Sequence, residues 1–212
     1  MQIEIFSDIA CPWCFVGKRR FDRALEQFGA SYDGEVEVVY RSFELSPDTP
    51  VDFTGSSTDF LVQHKRMSVA QVEQMLAQMT ELAAGEGLAY DFDTVQHTNT
   101  RRAHQLLHHG AALGVQAALK ERLLSAYFEQ GRNVGDVDEL VELGADVGLD
   151  RDETREALTT GRYADAVQAD IDQAVDYGIG GVPFYVLDGR VGVSGAQSTE
   201  TFRAALEKVA QP

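Results

Sequence analysis

Cysteine is nearly absent from this chain: its 212 residues contain two, Cys11 and Cys14. A structural zinc site takes about four ligands, often as two cysteine pairs, so the lack of a second pair argues against zinc. Basic residues are also scarce. Lys and Arg number 18 against 34 Asp and Glu, for a net charge of -16. Such a surface repels nucleic acid and anionic membrane, and neither is expected as a partner. No apolar run approaches the roughly 20 residues of a membrane span. The opening "MQIEIFSDIA" has no basic leader and no long apolar stretch, so it does not read as a secretory signal peptide. The expected compartment is the cytoplasm, where structural disulfides are rare. A cysteine pair there calls for another explanation.

Both cysteines fall in "SDIACPWCFVGKRRF", residues 7–21. Ahead of them, residues 3–8 (IEIFSD) read as a buried strand. After them, Cys14, Gly17, Phe21, Ala24 and Phe28 recur at spacings of three and four, the stripe of an amphipathic helix, with Gly29 as its stop. Residues 35–45 are rich in β-branched and aromatic side chains and read as a second strand. The result is β-α-β with Cys-x-x-Cys at the first strand-to-helix junction, a redox signature in a cytosolic protein.

The strand pattern then stops until the end of the chain. Helices are expected from the capping box Ser68/Gln71, from Asn99 or Thr100, and from Asp136/Glu139 and Asp150/Glu153. Gly114, Gly131, Gly148, Gly161 and Gly178 close helices in this stretch. Strands return as Phe184–Leu187 and Val191–Ser194 around Asp188-Gly189, a strong hairpin signal, and a last helix starts near Ser198. The fold class expected is α/β: a thioredoxin fold (β-α-β … β-β-α) with an all-helical domain inserted after the second strand. The boundaries expected are 1–45 and 169–212 for the thioredoxin-like part and 46–168 for the insertion.

Chemistry at the junction follows from position. The thiolate is the nucleophile of disulfide exchange. A cysteine at a helix N-terminus meets unpaired N–H groups and the positive dipole end, both of which favour thiolate. Cys11 holds that place and is expected to be the exposed attacking thiol. Pro12 suits the first helical position, where its missing N–H has no intrahelical use. Cys14, one turn on and facing the core, is expected to be the shielded resolving thiol. Trp13 between them offers an apolar surface to a partner. His104 and His108 lie four apart on one helix, but no acidic or cysteine ligand accompanies them, so no metal is expected.

Four segments, "CPWC" (11–14), "NTRRAH" (99–104), "GVP" (181–183) and "VSGAQ" (193–197), together resemble the FrnE-like branch of the DsbA family. The resemblance spans essentially the whole chain. It implies thiol–disulfide oxidoreductase activity through Cys11 and Cys14 on protein or small-molecule disulfides. It also implies that Pro183 is cis and faces the dithiol, with Val182 offering its backbone to an extended substrate. Trp13 stands where periplasmic DsbA has His, so that protein's oxidising potential does not carry over. Asn99 and His104 are implied as cleft residues. A buried acid commonly accepts protons below the dithiol, and Glu44 and Asp8 are the candidates. Ser194 and Gln197, before the last helix, together with Val182 would hold the γ-glutamyl end of glutathione, the candidate co-substrate. No tightly bound cofactor is expected, and the chain would act as a monomer or a homodimer. Related kappa-class glutathione transferases and 2-hydroxychromene-2-carboxylate isomerases form the alternative, but they usually carry Ser at position 11. A non-catalytic, chaperone-like binding module is the third reading.

Overall fold

The computed structural model describes residues 1–211. It divides into two compact units, one made of Met1–Leu45 with the residues from Ala164 on, the other of Ser46–Tyr163.

The first unit opens with β1 (Gln2–Ser7), α1 (Pro12–Gly29) and β2 (Glu37–Ser42). The second unit follows with α2 (Ser57–Lys65), α3 (Val69–Gly85), α4 (Arg101–Ala112), α5 (Gln116–Glu129), α6 (Val137–Ala145) and α7 (Arg151–Thr160). The first unit then resumes with α8 (Ala164–Asp176), β3 (Phe184–Leu187), β4 (Val191–Ser194) and α9 (Thr199–Ala210). Its sheet has the order β2-β1-β3-β4. β1 and β2 are parallel, with Ile3 beside Val38, and β3 is antiparallel to both β1 and β4. This is the thioredoxin order of strands and helices.

Period-two alternation sorts the sheet's side chains onto two faces. Ile3 and Ile5 of β1, with Tyr185 and Leu187 of β3, meet Phe21, Ala24 and Phe28 of α1 and Phe202 and Leu206 of α9 in one buried cluster. Phe21, Tyr185 and Phe202 form an aromatic trio with ring centroids 4.6 to 5.4 Å apart. The intervening residues Phe6 and Val186 pack with Ala174 and Ile179 on the opposite face. There the Arg41 guanidinium joins Glu4 Oε1 (2.6 Å) to Asp170 Oδ1 (3.2 Å), and Asp170 Oδ2 accepts the backbone N–H of Ser42 at 2.8 Å. Glu4 and Asp170 are both buried. A buried ion cluster of this kind survives because each carboxylate is paired with the guanidinium and Asp170 is hydrogen-bonded as well. It fastens α8 to β1 and β2.

That attachment moves one expected boundary. The second junction lies at 163/164, not 168/169, because α8 starts at Ala164 and belongs as a whole to the sheet unit. β2 is also shorter than the expected 35–45. Helix α2 was not expected. Its capping box, Ser56 with Asp59, was legible in the sequence as Ser-x-x-Asp. The hairpin matches expectation: Asp188 and Gly189 have φ of 50° and 63°, the left-handed pair that a tight two-residue turn requires. Gly161 ends α7 in the left-handed region, as read from the sequence.

Within the second unit, α4 packs with α5, α6 and α7. His97 stacks on Phe60 with ring centroids 4.1 Å apart. Its Nε2 lies 3.0 Å from Ser57 Oγ and its Nδ1 3.2 Å from the Tyr127 hydroxyl. Among the described residues no cluster of His, Cys, Asp and Glu is arranged to hold a metal ion. No described helix is long and apolar enough to cross a membrane.

Candidate active site

Strand β1 ends in Ser7, and the turn through Asp8 delivers Cys11 to the start of α1. Cys11 is the N-cap residue, in extended conformation, and Pro12 takes the first helical position. The Cys11 N–H donates to the Asp8 carbonyl at 3.4 Å, and the Cys11 carbonyl accepts from the Cys14 N–H at 3.0 Å. Both sulfurs are thus fixed by backbone geometry one turn apart. They are thiols here, not a disulfide.

The second wall of the site is the loop before β3. The Val182–Pro183 peptide is cis. The Cys11 thiol donates to the Val182 carbonyl at 3.5 Å. The Pro183 carbonyl in turn accepts the Gly195 N–H at 2.8 Å, which ties this loop to the end of β4. Gly17 explains how α1 comes so close. A Cβ there would stand 2.7 Å from Tyr185 Oη, 3.0 Å from Pro183 Cγ and 3.3 Å from Ala196 Cβ. Arg20, three residues further along, donates from Nη1 to the Ala196 carbonyl at 2.8 Å. The Thr199 hydroxyl donates back to the Arg20 carbonyl at 3.3 Å. Arg20, Thr199 and Tyr185 were not among the expected site residues. Arg20 stands in the basic run "GKRR", but its carbonyl partner lies 176 positions away and no local pattern announces it.

Cys11 differs from expectation in two respects. It is buried, 3% exposed like Cys14, because the Val182 loop closes over it. Its thiol is pushed well above the ordinary thiol range instead of below it. The hydrogen bond with Cys14 is the largest cause, followed by burial, the charge of Cys14 and, more weakly, that of Asp8. The Cys14 backbone N–H, in the first turn of α1, pulls the other way and favours thiolate, but these causes outweigh it.

The other expected residues divide. Trp13 is exposed (44%) beside the pair. Asp8 is buried; its carboxylate accepts the Leu45 N–H at 2.8 Å and the Ala10 N–H at 3.4 Å. Glu44 is only half-buried. Ser194 and Gln197 are exposed, and the Gln197 amide folds back to the Ser194 carbonyl at 2.7 Å. The N-terminus of α9, expected to receive a ligand carboxylate, already has one. The Glu200 carboxyl bonds its own backbone N–H and Ser198, which holds it below the usual carboxylate range. Asn99 and His104 belong to the other unit. The Asn99 amide donates to the Pro47 carbonyl at 2.7 Å, and its Oδ1 accepts the Arg101 N–H at 2.9 Å. His104 is fully buried within α4.

A thioredoxin sheet, a dithiol at the start of its first helix and a proline loop facing that dithiol define the class: a thioredoxin-fold protein of the thiol oxidoreductase type. Residues 2–207 match the DSBA-like thioredoxin domain family, and the chain belongs to it. A probable DsbA oxidoreductase of Streptomyces coelicolor is 43% identical in sequence, with a TM-score of 0.91 over 99% of this chain and 89% of that one. The uncharacterised protein YwbO of Bacillus subtilis is 28% identical across 97% of this chain and 96% of its own. The fold also matches a 2-hydroxychromene-2-carboxylate isomerase at TM-score 0.76, with 17% identity over 100% of this chain and 97% of that one.

Proposed function

We propose that this protein is a thiol–disulfide oxidoreductase that exchanges electrons with protein or small-molecule disulfides through Cys11 and Cys14. The observation that carries the reading is the pairing of two thiols at the start of α1 with the Val182 carbonyl opposite them. Cys11 is the attacking thiol. It precedes the helix and adjoins the exposed Trp13, whereas Cys14 lies on the helix face that carries Gly17 and Phe21 into the core. A substrate strand laid along residues 182–183 would displace the Cys11 thiol from the Val182 carbonyl and bring a disulfide to it. Trp13 supplies apolar contact area for that strand. Of the two acids, Asp8 is the better candidate for accepting protons from the pair. It is the buried one, and its charge is felt at Cys11. Pro183 keeps its place as a positioning residue of the loop.

Glutathione enters this reading as a redox partner that exchanges with the pair. Docking of its carboxylate at α9 is disfavoured by Glu200, which occupies that terminus. The isomerase or transferase alternative needs one reactive residue at position 11, and the second thiol at Cys14 speaks against it. The cytoplasm remains the proposed compartment.

The test is capture. Cys14→Ser, incubated with a peptide containing one disulfide, should accumulate a mixed disulfide at Cys11, and Cys11→Ser should not. Capture by Cys11→Ser alone would reverse the roles. Absence of any exchange by the wild type would sink the reading.

A further inference from the structure

The segment that leads into the Pro183 loop carries charge of one sign. From residue 163 to residue 189 the chain has five Asp and no Lys, Arg or His. Two of the five are committed elsewhere. Asp170 is held by Arg41 and Ser42, and Asp188 accepts the Gln2 N–H at the hairpin, at 2.7 Å. Asp165, Asp172 and Asp176 stand exposed on α8. Among the described residues none of these three has a cation as partner, and Asp172 accepts the neutral Gln168 amide at 2.9 Å. The C-terminus of α8 adds the negative end of the helix dipole, and no basic residue stands in its last turn. Apolar surface lies beside these carboxylates. Ile171 and Val175 form one column along α8, and Asp172 and Asp176 form the next. Val175 is 72% exposed and Tyr177, just past the helix, 50%. The Tyr177 ring meets Phe6 edge-on, with centroids 6.1 Å apart, and Phe6 pairs in register with Phe184, the neighbour of Pro183. Val182 and Phe184 are partly buried against the same cluster. A Cβ at Gly192 would stand 2.8 Å from Phe184 Cζ, so the missing side chain lets the Phe184 ring lie across β4. Apolar side chains thus link the end of α8 to the loop that faces the dithiol.

We infer that the C-terminal end of α8, with Tyr177, is a docking surface for a basic, apolar segment of the polypeptide that carries the substrate disulfide. The inference rests on the proposed function and adds the class of substrate. Charge complementarity selects this occupant. Lys or Arg in the segment would pair with Asp172 and Asp176 and complement the dipole end, and the Tyr177 ring offers its face to the same cations. Apolar side chains of the segment would cover Val175 and Tyr177 and remove them from water. An acidic segment meets only like charge here, so the surface also rejects. The geometry is within reach. Tyr177 and Val182 are five residues apart, which is at most about 18 Å of chain. A substrate strand lying along residues 182–183 therefore reaches α8 with a tail of about eight residues. Glutathione disulfide is too short to do so and would use the dithiol alone.

The deciding experiment is single-turnover exchange between the reduced protein and synthetic peptides. Each peptide has one intramolecular disulfide and a tail of about eight residues at either end, made of Lys and Leu, of Glu and Leu, or of Gly and Ser. The protein dithiol becomes a disulfide as the peptide disulfide becomes a dithiol, so no further reductant is needed. Oxidised protein with the peptide dithiols gives the same comparison in the opposite sense. At low salt the Lys/Leu peptide should react about fivefold faster than the Gly/Ser peptide, and the Glu/Leu peptide more slowly than either. The double variant Asp172→Asn, Asp176→Asn should cut the Lys/Leu advantage to about twofold, and Val175→Ser should lower what remains. All three side chains are exposed, so the variants should fold, and circular dichroism checks it. Glutathione disulfide should react at one rate with every variant. Equal rates for the three tails, or a Lys/Leu advantage unchanged in the double variant, would overturn the inference and leave the oxidoreductase reading standing. So would a wild-type dimer in sedimentation that Val175→Asp dissolves, because a second copy would then be the occupant. No exchange with any peptide or with glutathione disulfide would remove the oxidoreductase reading itself.

Discussion

The thiol of Cys11 donates to the carbonyl of Val182 at 3.5 Å, across 171 positions of sequence. The Cys14 sulfur and burial keep Cys11 protonated, and its alkylation should report that. Only the thiolate attacks an alkylating agent. With the folded thiol raised above its ordinary range, the thiolate fraction at pH 7 is small and grows about tenfold per pH unit below the pKa. Iodoacetamide labelling of Cys11, followed by mass spectrometry, should therefore still be accelerating at pH 9. A plateau below pH 7 would contradict the structure. The same shift gives stability a sign. The contribution of Cys11 is full below the ordinary thiol pKa and is lost as pH rises through the folded value.

Gly17 sets the separation between α1 and the Pro183 loop. In Gly17→Ala the added methyl would meet Tyr185 Oη at 2.7 Å and Pro183 Cγ at 3.0 Å, and neither neighbour is at the loose end of a flexible chain. Overpacking of this kind costs about 1–3 kcal/mol. Relief by outward movement of α1 would also carry Cys11 from Val182. Denaturant unfolding should show the loss, and turnover of a peptide disulfide should slow in the folded fraction. Tyr185→Phe, which removes the closest atom, should restore part of the stability to Gly17→Ala. Unchanged stability and turnover in the single variant would show that the close approach is not needed.

Local features of this fold were readable in the sequence because their causes are local. Asp188-Gly189 specifies its hairpin within two residues. Ser68 with Gln71 and Asp150 with its helix specify their starts within one turn. The placement of Cys11 and Cys14 follows from strand and helix periodicity alone. The state of Cys11 does not. Its burial is imposed by Val182, and its N-terminal position misled because the Cys14 side chain and burial outweigh the help of the Cys14 N–H. Helix α8 shows the same limit. Its periodicity reveals an apolar face, but only Asp170 meeting Arg41 and Ser42 assigns that face to the sheet.

Asp170 therefore carries a testable share of the first unit's stability. Asp170→Ala would leave the Ser42 N–H without its acceptor and Arg41 with Glu4 as its remaining carboxylate partner in the cluster. Removing one member of a buried charge network typically costs about 3–5 kcal/mol, and the partial exposure of Arg41 lowers the expectation to about 2–3. Asp170→Asn keeps an acceptor for Ser42 and should cost less. Equal losses for the two variants would mean that the charge of Asp170, not its hydrogen bond to Ser42, holds α8.

Acid should weaken the second unit through His97. The Ser57 hydroxyl donates to the Phe92 carbonyl at 2.8 Å, so it accepts from His97 Nε2–H. His97 Nδ1 then accepts from the Tyr127 hydroxyl, and the ring is neutral. Burial, with a smaller contribution from the charge of His64, lowers its pKa to about 4. The unfolded chain binds this proton more readily, at about pH 6.5. Stability is thus complete above pH 6.5 and is lost as pH falls through about 4, by at most about 3 kcal/mol. The loss should appear in chemical denaturation at pH 7, 5.5 and 4, followed by the near-ultraviolet signal of Tyr127 and its neighbours. Carboxylates elsewhere titrate in the same interval, so the comparison is with His97→Gln, which lacks the ionisable ring. That variant should be less stable at pH 7, because it loses the stack on Phe60, and should lose less on acidification than the wild type. Parallel pH profiles for the two proteins would show that His97 is not the group that titrates.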